Sequence, residues 1–366
     1  MVTRRGAFAL VPAGLLVCSV ALFAQGRGNQ AAPQVDQKKL SDSQKKEVTI
    51  IQGIVDGAIS GTAAPNDLSL AWVHEDILKA TGNRQYVPFT VSIDPAKLTG
   101  TNVAIYWRVV SKEQAAAMTA MMAPPAAGAK KDDKKAAPRM TFSYEDLGTV
   151  SVAAGQAGPI KFSRSFTVAA GAYDVYVLMR EPPSDKKNAP APRMAVVKQS
   201  VVVPDLWNDE LNTSSIIVAE RIDPLPAPLT SQQMIDRPYA MGPIEIVPAI
   251  GGKFTKKDEL QPFLLIYNAK TDSANKPDVT VEYNFYAKDA KEATGERFFN
   301  KTNPQELNAK TLPPQFDFAA GHQLQSGQAV PLASFPEGDY RLEIVVTDKI
   351  ANKIVKRDVN FSVSGS

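Results

Sequence analysis

The chain has 366 residues, 44% of them hydrophobic, with 41 lysines and arginines against 38 aspartates and glutamates, a formal net charge of +3 at pH 7. A balance so close to neutrality gives no electrostatic footprint for a polyanion and argues against a nucleic-acid partner. The single cysteine, Cys18, excludes an internal disulfide framework and any multi-cysteine metal site.

At the N-terminus Arg4 and Arg5 precede a run from Ala7 to Ala24 that lacks Asp, Glu, Lys and Arg. That is the pattern of a secretory signal, so residues 1–24 are predicted to be a signal peptide with cleavage after Ala24. Cleavage would remove Cys18 and leave 39 basic against 38 acidic residues. Val17 is too bulky for the small residue that normally precedes a lipid-modified cysteine. Membrane attachment would therefore require an uncleaved signal, because no later stretch reaches about 18 consecutive apolar residues. The expected location is periplasmic or extracellular. Residues 25–47 are polar and read as a flexible tether.

Between Lys45 and Ala58 a possible helix start competes with the strand preference of Val48, Ile50, Ile51, Ile54 and Val55, and this element stays open. Strands are predicted at Tyr86–Ile93 and Val103–Val110, separated by the turn residues Thr99-Gly100-Thr101-Asn102. Residues 113–139 switch to Ala, Met, Pro and a Lys/Asp cluster at Lys130–Lys135. This predicts a disordered, exposed insert, with a short helix over Lys112–Met122 stopped by Pro124-Pro125. Met118, Met121 and Met122 would give such an arm an adaptable partner-binding surface. Strands resume at Met140–Tyr144, Gly148–Val152, Ile160–Val168, Tyr173–Met179 and Met194–Val203. Pro204-Asp205-Leu206-Trp207 marks a boundary. Beyond it come Thr213–Ala219, Pro243–Val247, Leu260–Tyr267, Val279–Ala287, Tyr340–Thr347 and Ile354–Val363.

One pattern occurs twice. Gly171-Ala172-Tyr173-Asp174-Val175 matches Gly338-Asp339-Tyr340-Arg341-Leu342, and each leads through a hairpin into a lysine-containing strand. A tyrosine placed this way fits the tyrosine corner of immunoglobulin-like domains, which assigns Tyr173 and Tyr340 that structural role. The fold expected is all-β, two tandem immunoglobulin-like or fibronectin-like β-sandwiches at residues 48–205 and 206–366.

The segments Thr213–Ile222, Leu260–Asn268, Pro336–Tyr340 and Val346–Lys349 resemble the C-terminal β-rich region of exported acidobacterial proteins that carry von Willebrand A-related or GWxTD-type domains. The resemblance covers under half the chain. The Asp-x-Ser-x-Ser and Gly-Trp-x-Thr-Asp motifs themselves are missing. It implies an envelope location and a sandwich fold, with no activity attached.

Catalytic signatures are sparse. His74 and His322 fall in different domains and no Gly-x-Ser-x-Gly elbow accompanies them. His74-Glu75-Asp76 has no second histidine at ligand spacing. The pairs Glu75/Asp76, Glu145/Asp146 and Asp258/Glu259 read as solvated surface. No catalytic, cofactor or metal residues are assigned. Trp107 reads as core and Trp207 as a domain-boundary contact, leaving Trp72 as the candidate ligand-stacking ring. The function expected is a noncatalytic binding or structural protein of the envelope that contacts another envelope or extracellular protein. The alternative is a carbohydrate-binding module or an accessory of a carbohydrate-active enzyme, with a glycan as ligand.

Overall fold

Helix α1 (Asp42–Ile59) begins at a capping box, in which the Ser41 side chain accepts from Gln44 N–H and the Gln44 side chain accepts from Ser41 N–H. The computed structural model describes residues 41–122, 142–153, 156–184, 188–289 and 291–365. The signal peptide and most of the tether lie outside these residues. The end of the expected tether, from Asp42, is corrected to helix, as is the unassigned stretch after it. Val48, Ile51, Val55 and Ile59 recur at helical spacing and are buried. Their burial outweighs the small helix penalty of β-branched side chains.

Twelve residues on, the first sandwich begins. One sheet centres on β3 (Gln85–Ile93), which pairs with β6 (Ile160–Val168) on one side and with β1 (Ala71–Glu75) and β2 (Leu78–Lys79) on the other. The second sheet runs β5-β4-β7-β8, with β4 at Asn102–Ser111, β5 at Tyr144–Ser151, β7 at Gly171–Arg180 and β8 at Met194–Val203. Val103, Ile105, Trp107 and Val109 of β4 face the core between the sheets, with Phe89 and Phe166 opposite. Tyr106 and Val110 face the other way, onto Ile51, Val55 and Ile59 of α1. With both faces covered, β4 and β7 read in sequence as continuous apolar runs rather than alternating ones.

Helix α2 (Lys112–Met122) follows β4 directly, so the insert expected from residue 113 starts as ordered helix. Met118 is 7% exposed and packs with Ile51, Val55 and Tyr176, which corrects its expected role as accessible partner-binding surface. The side chains of Met121 and Met122, and residues 123–139 of the insert, lie outside the described residues.

The second sandwich has one sheet in the order β11-β12-β10-β14-β18 and another in the order β13-β21-β20-β15-β16. The first uses β10 (Ile217–Pro224), β11 (Ala240–Met241), β12 (Ile244–Pro248), β14 (Glu259–Tyr267) and β18 (Leu324–Gly327), with β9 (Asn212–Thr213) and β19 (Val330–Pro331) also on β14. The other uses β13 (Lys253–Thr255), β15 (Val279–Lys288), β16 (Glu296–Lys301), β20 (Gly338–Asp348) and β21 (Lys353–Ser364), with β17 (Gln305–Leu307) on β15. Helix α3 (Ser231–Asp236) sits between β10 and β11. Phe285, Phe335, Tyr340 and Phe361 interlock in edge-on and stacked pairs at the centre of this core.

The duplicated motif has the same geometry in both sandwiches. Tyr173 Oη donates to Ala169 O at 3.1 Å and Tyr340 Oη to Pro336 O at 2.7 Å, each reaching four residues upstream. The glycine two residues before each tyrosine has φ of +157° or +149°, a region side chains rarely adopt. At Gly171 a Cβ would also press on the Tyr173 ring at 3.3 Å.

Candidate functional site: the seam between the sandwiches

The two sandwiches share a third apolar cluster. Tyr86 of β3 and Leu78 of β2 pack with Leu206, Ile217, Tyr239, Phe263 and Tyr267. Polar groups complete the joint: Ile77 and Ser215 exchange hydrogen bonds at 2.8 and 2.9 Å, Tyr86 Oη donates to Pro238 O at 2.9 Å, and Lys79 N–H donates to Tyr267 Oη at 3.1 Å. Arg164 of β6 pairs with Asp236 of α3 at 3.0 Å.

Asp76 lies inside this seam and is 1% exposed. One of its oxygens is 2.8 Å from His74 Nε2 and accepts from Tyr239 Oη at 2.9 Å. The solvated-surface reading is thereby corrected for Asp76. It also fails at Asp146, which is 8% exposed, and at Glu145, which is held by Arg108, Tyr106 and Gln52 beneath α1. Adjacent carboxylates on a strand point to opposite faces, so sequence adjacency says nothing about shared exposure.

Two of these groups bind protons more tightly in the folded chain. Burial lowers the His74 pKa, but the hydrogen bond and charge of Asp76 more than reverse this, leaving it above its ordinary value. Burial pushes Asp146 up to about 6, against the opposing Leu147 N–H and Arg164. A group whose folded pKa is raised contributes its full stability below its unfolded pKa and loses it as pH rises through the folded value. Stability is therefore expected to fall as pH rises from about 4 through 6 for Asp146, and from about 6.5 upward for His74. Thermal melts across that range check this: Asp146→Asn should flatten the lower part of the decline and His74→Asn the upper part.

A cleft of about 580 Å³ opens at one end of the seam. It is bounded by Lys79–Thr81 of the first sandwich, by Trp207 and Asp209 of the connection, and by residues 266–271 and 317–323 of the second sandwich. Trp207 is 37% exposed and held in place: its Nε1–H donates to Arg84 O at 3.0 Å, and Lys79 Nζ lies 4.1 Å from its ring centre. Lys79 Nζ also donates to Asn268 Oδ1 at 2.8 Å, and burial lowers the Lys79 pKa against the pull of Asp209 and Asp205. His322 lines the opposite segment, where its Nδ1 accepts from Asp317 N–H at 2.9 Å.

The structure thus separates the two histidines, His74 in the seam and His322 at the cleft. It also corrects the stacking candidate. Trp72 lies face to face with Phe89, at 4.7 Å and an interplanar angle of 8°, and its Nε1–H donates to Glu75 at 2.5 Å. Its ring is half-buried packing at the sandwich rim. Trp207 is the tryptophan that fronts a cleft, alongside Tyr267 and Phe318, and no local pattern distinguished it, since the cleft is made by four segments distant in sequence. Among the described residues no group of three or more His, Cys, Asp or Glu side chains could hold a metal ion, and no helix is long and apolar enough to cross a membrane.

No family model and no curated protein matches the chain. Among solved structures, Escherichia coli alpha-2-macroglobulin activated by porcine elastase is similar over 76% of this chain and 22% of its own, at 12% identity and a TM-score of 0.22. A Salmonella alpha-2-macroglobulin is similar over 81% of this chain and 17% of its own, at 12% identity and a TM-score of 0.19. Parabacteroides merdae beta-glucuronidase is similar over 82% of this chain and 29% of its own, at 11% identity and a TM-score of 0.24. The chain spans less than a third of the length of each. Its own sheets define its class, an all-β protein of two packed sandwiches.

Proposed function

We propose that the chain is a noncatalytic binding protein of the cell envelope, exported by residues 1–24, that works through contact with another envelope or extracellular protein. The observation that carries this reading is the outer edge of β8. Val196 N–H points away from β7, to Pro65 O at 2.8 Å. Strand alternation turns the N–H and C=O of Lys198, Ser200 and Val202 the same way. Among the described residues no strand pairs with that edge beyond the bridge at Ala195, and Val202 is 75% exposed. An open, valine-rich edge is a template for an added strand from a partner. The buried Asp76 and the half-buried Glu145 are meanwhile committed to the scaffold, Asp76 to His74 and Tyr239, and Glu145 to Arg108.

Val202→Pro removes one outward N–H while leaving the ladder to β7, which runs through Val201 and Val203. In capture from an envelope extract, the protein bound by the parent chain should be lost with Val202→Pro and kept by a form lacking residues 123–138. Equal capture by the parent and Val202→Pro would count against the edge. For export, sequencing of the protein from the native envelope should begin at Gln25.

A further inference from the structure

We propose that the seam cleft is a second binding site, distinct in its residues from the β8 edge, and that its ligand is a short, neutral oligosaccharide. Size, charge and chemistry support this together. A volume of about 580 Å³ falls within the range of small-ligand sites. The formal charges of the lining cancel, Lys79 and Lys270 against Asp209 and Asp317, so no net field selects an anion or a cation.

The remaining polar lining is built from amides and hydroxyls, among them Asn275, Gln323 and Thr81. Such groups both donate and accept, as a polyhydroxylated ligand requires. Because His322 Nδ1 accepts from Asp317 N–H, the neutral ring carries its proton on Nε2 and can donate there. Trp207 supplies the apolar contact. Its indole is fixed by Arg84 O and by the Lys79 ammonium, yet it stays 37% exposed, so stacking a sugar face on it costs little further ordering. Lys79 and Thr81 come from one sandwich and His322 from the other, so the site exists only while the seam is closed.

The test titrates the full chain with maltotriose, cellotriose, mannotriose and chitotriose, and with trigalacturonic acid as the acidic comparison, following tryptophan fluorescence and calorimetry. At least one neutral trisaccharide should bind. Trp207→Ala should weaken it by about tenfold or more, as loss of a central aromatic contact does. Trp72→Ala should leave the affinity unchanged. Gln323→Ala, which leaves the Trp207 ring and its supports in place, should weaken binding severalfold at unchanged melting temperature. Binding of none of the neutral sugars, preference for the acidic one, or affinity indifferent to both Trp207→Ala and Gln323→Ala would overturn the proposal.

Discussion

Replacing Arg108 with alanine is expected to cost about 3–5 kcal/mol and to release α1 from the first sandwich. Arg108 is 2% exposed on the outer face of β4. Its guanidinium pairs with Asp56 of α1 and, at 3.0 Å, with Glu145 of β5, donates from Nε–H to Tyr106 Oη at 2.7 Å, and lies 3.9 Å from the centre of the Phe142 ring. Burial by itself would raise the Glu145 pKa, but Arg108, with Tyr106 and Gln52, holds it below the ordinary carboxylate value. Removing Arg108 leaves that half-buried carboxylate without its countercharge and opens a void where the buried guanidinium lay, and these are the larger part of the penalty. The double change Arg108→Met with Glu145→Gln, which removes both charges and keeps the volume, should recover most of the loss. Chemical denaturation reads the stability, and limited proteolysis within residues 42–59 reads the release of the helix. Full stability in Arg108→Ala would mean that the apolar stripe of α1 suffices to hold it.

The second large effect belongs to the seam. Tyr86→Ala removes a side chain that is 8% exposed within the shared cluster, together with its hydrogen bond to Pro238, and is expected to cost about 3–5 kcal/mol. The loss falls between the sandwiches more than inside either, so calorimetry should show one transition for the parent and two for the variant. Tyr86→Phe keeps the ring and forfeits the hydrogen bond to Pro238, at about 1 kcal/mol, and should keep one transition. One undivided transition in Tyr86→Ala would show that the rest of the seam couples the sandwiches without it.

What the sequence made legible follows the logic of burial. Strands rich in β-branched residues, such as Ile160–Val168 and Met194–Val203, stand out as runs bounded by turn residues, and the structure places strands over the same residues. Short strands such as Lys253–Thr255 and Gln305–Leu307 carry too few residues for any period to show. Helix α1 was obscured by its own side chains: Val48, Ile51 and Val55 favour strand locally, and only the sheet beneath them makes the helix worth forming. The seam was the least legible feature. Asp76 looks like a surface acid beside Glu75, and its burial depends on Tyr239, 163 residues away in sequence. Trp72 and Trp207 are similar as letters, and only tertiary packing sets one on Phe89 and the other at a cleft.

Amide hydrogen exchange on the captured complex reads whether the β8 edge pairs with a partner strand. The amides of Lys198, Ser200 and Val202 exchange freely at an open edge and should become protected when a partner strand pairs there, while Val197, Gln199 and Val201, already bonded to β7, change little. Unaltered exchange at Lys198, Ser200 and Val202 in a saturated complex would rule out strand addition at β8 and move recognition to another surface of the chain.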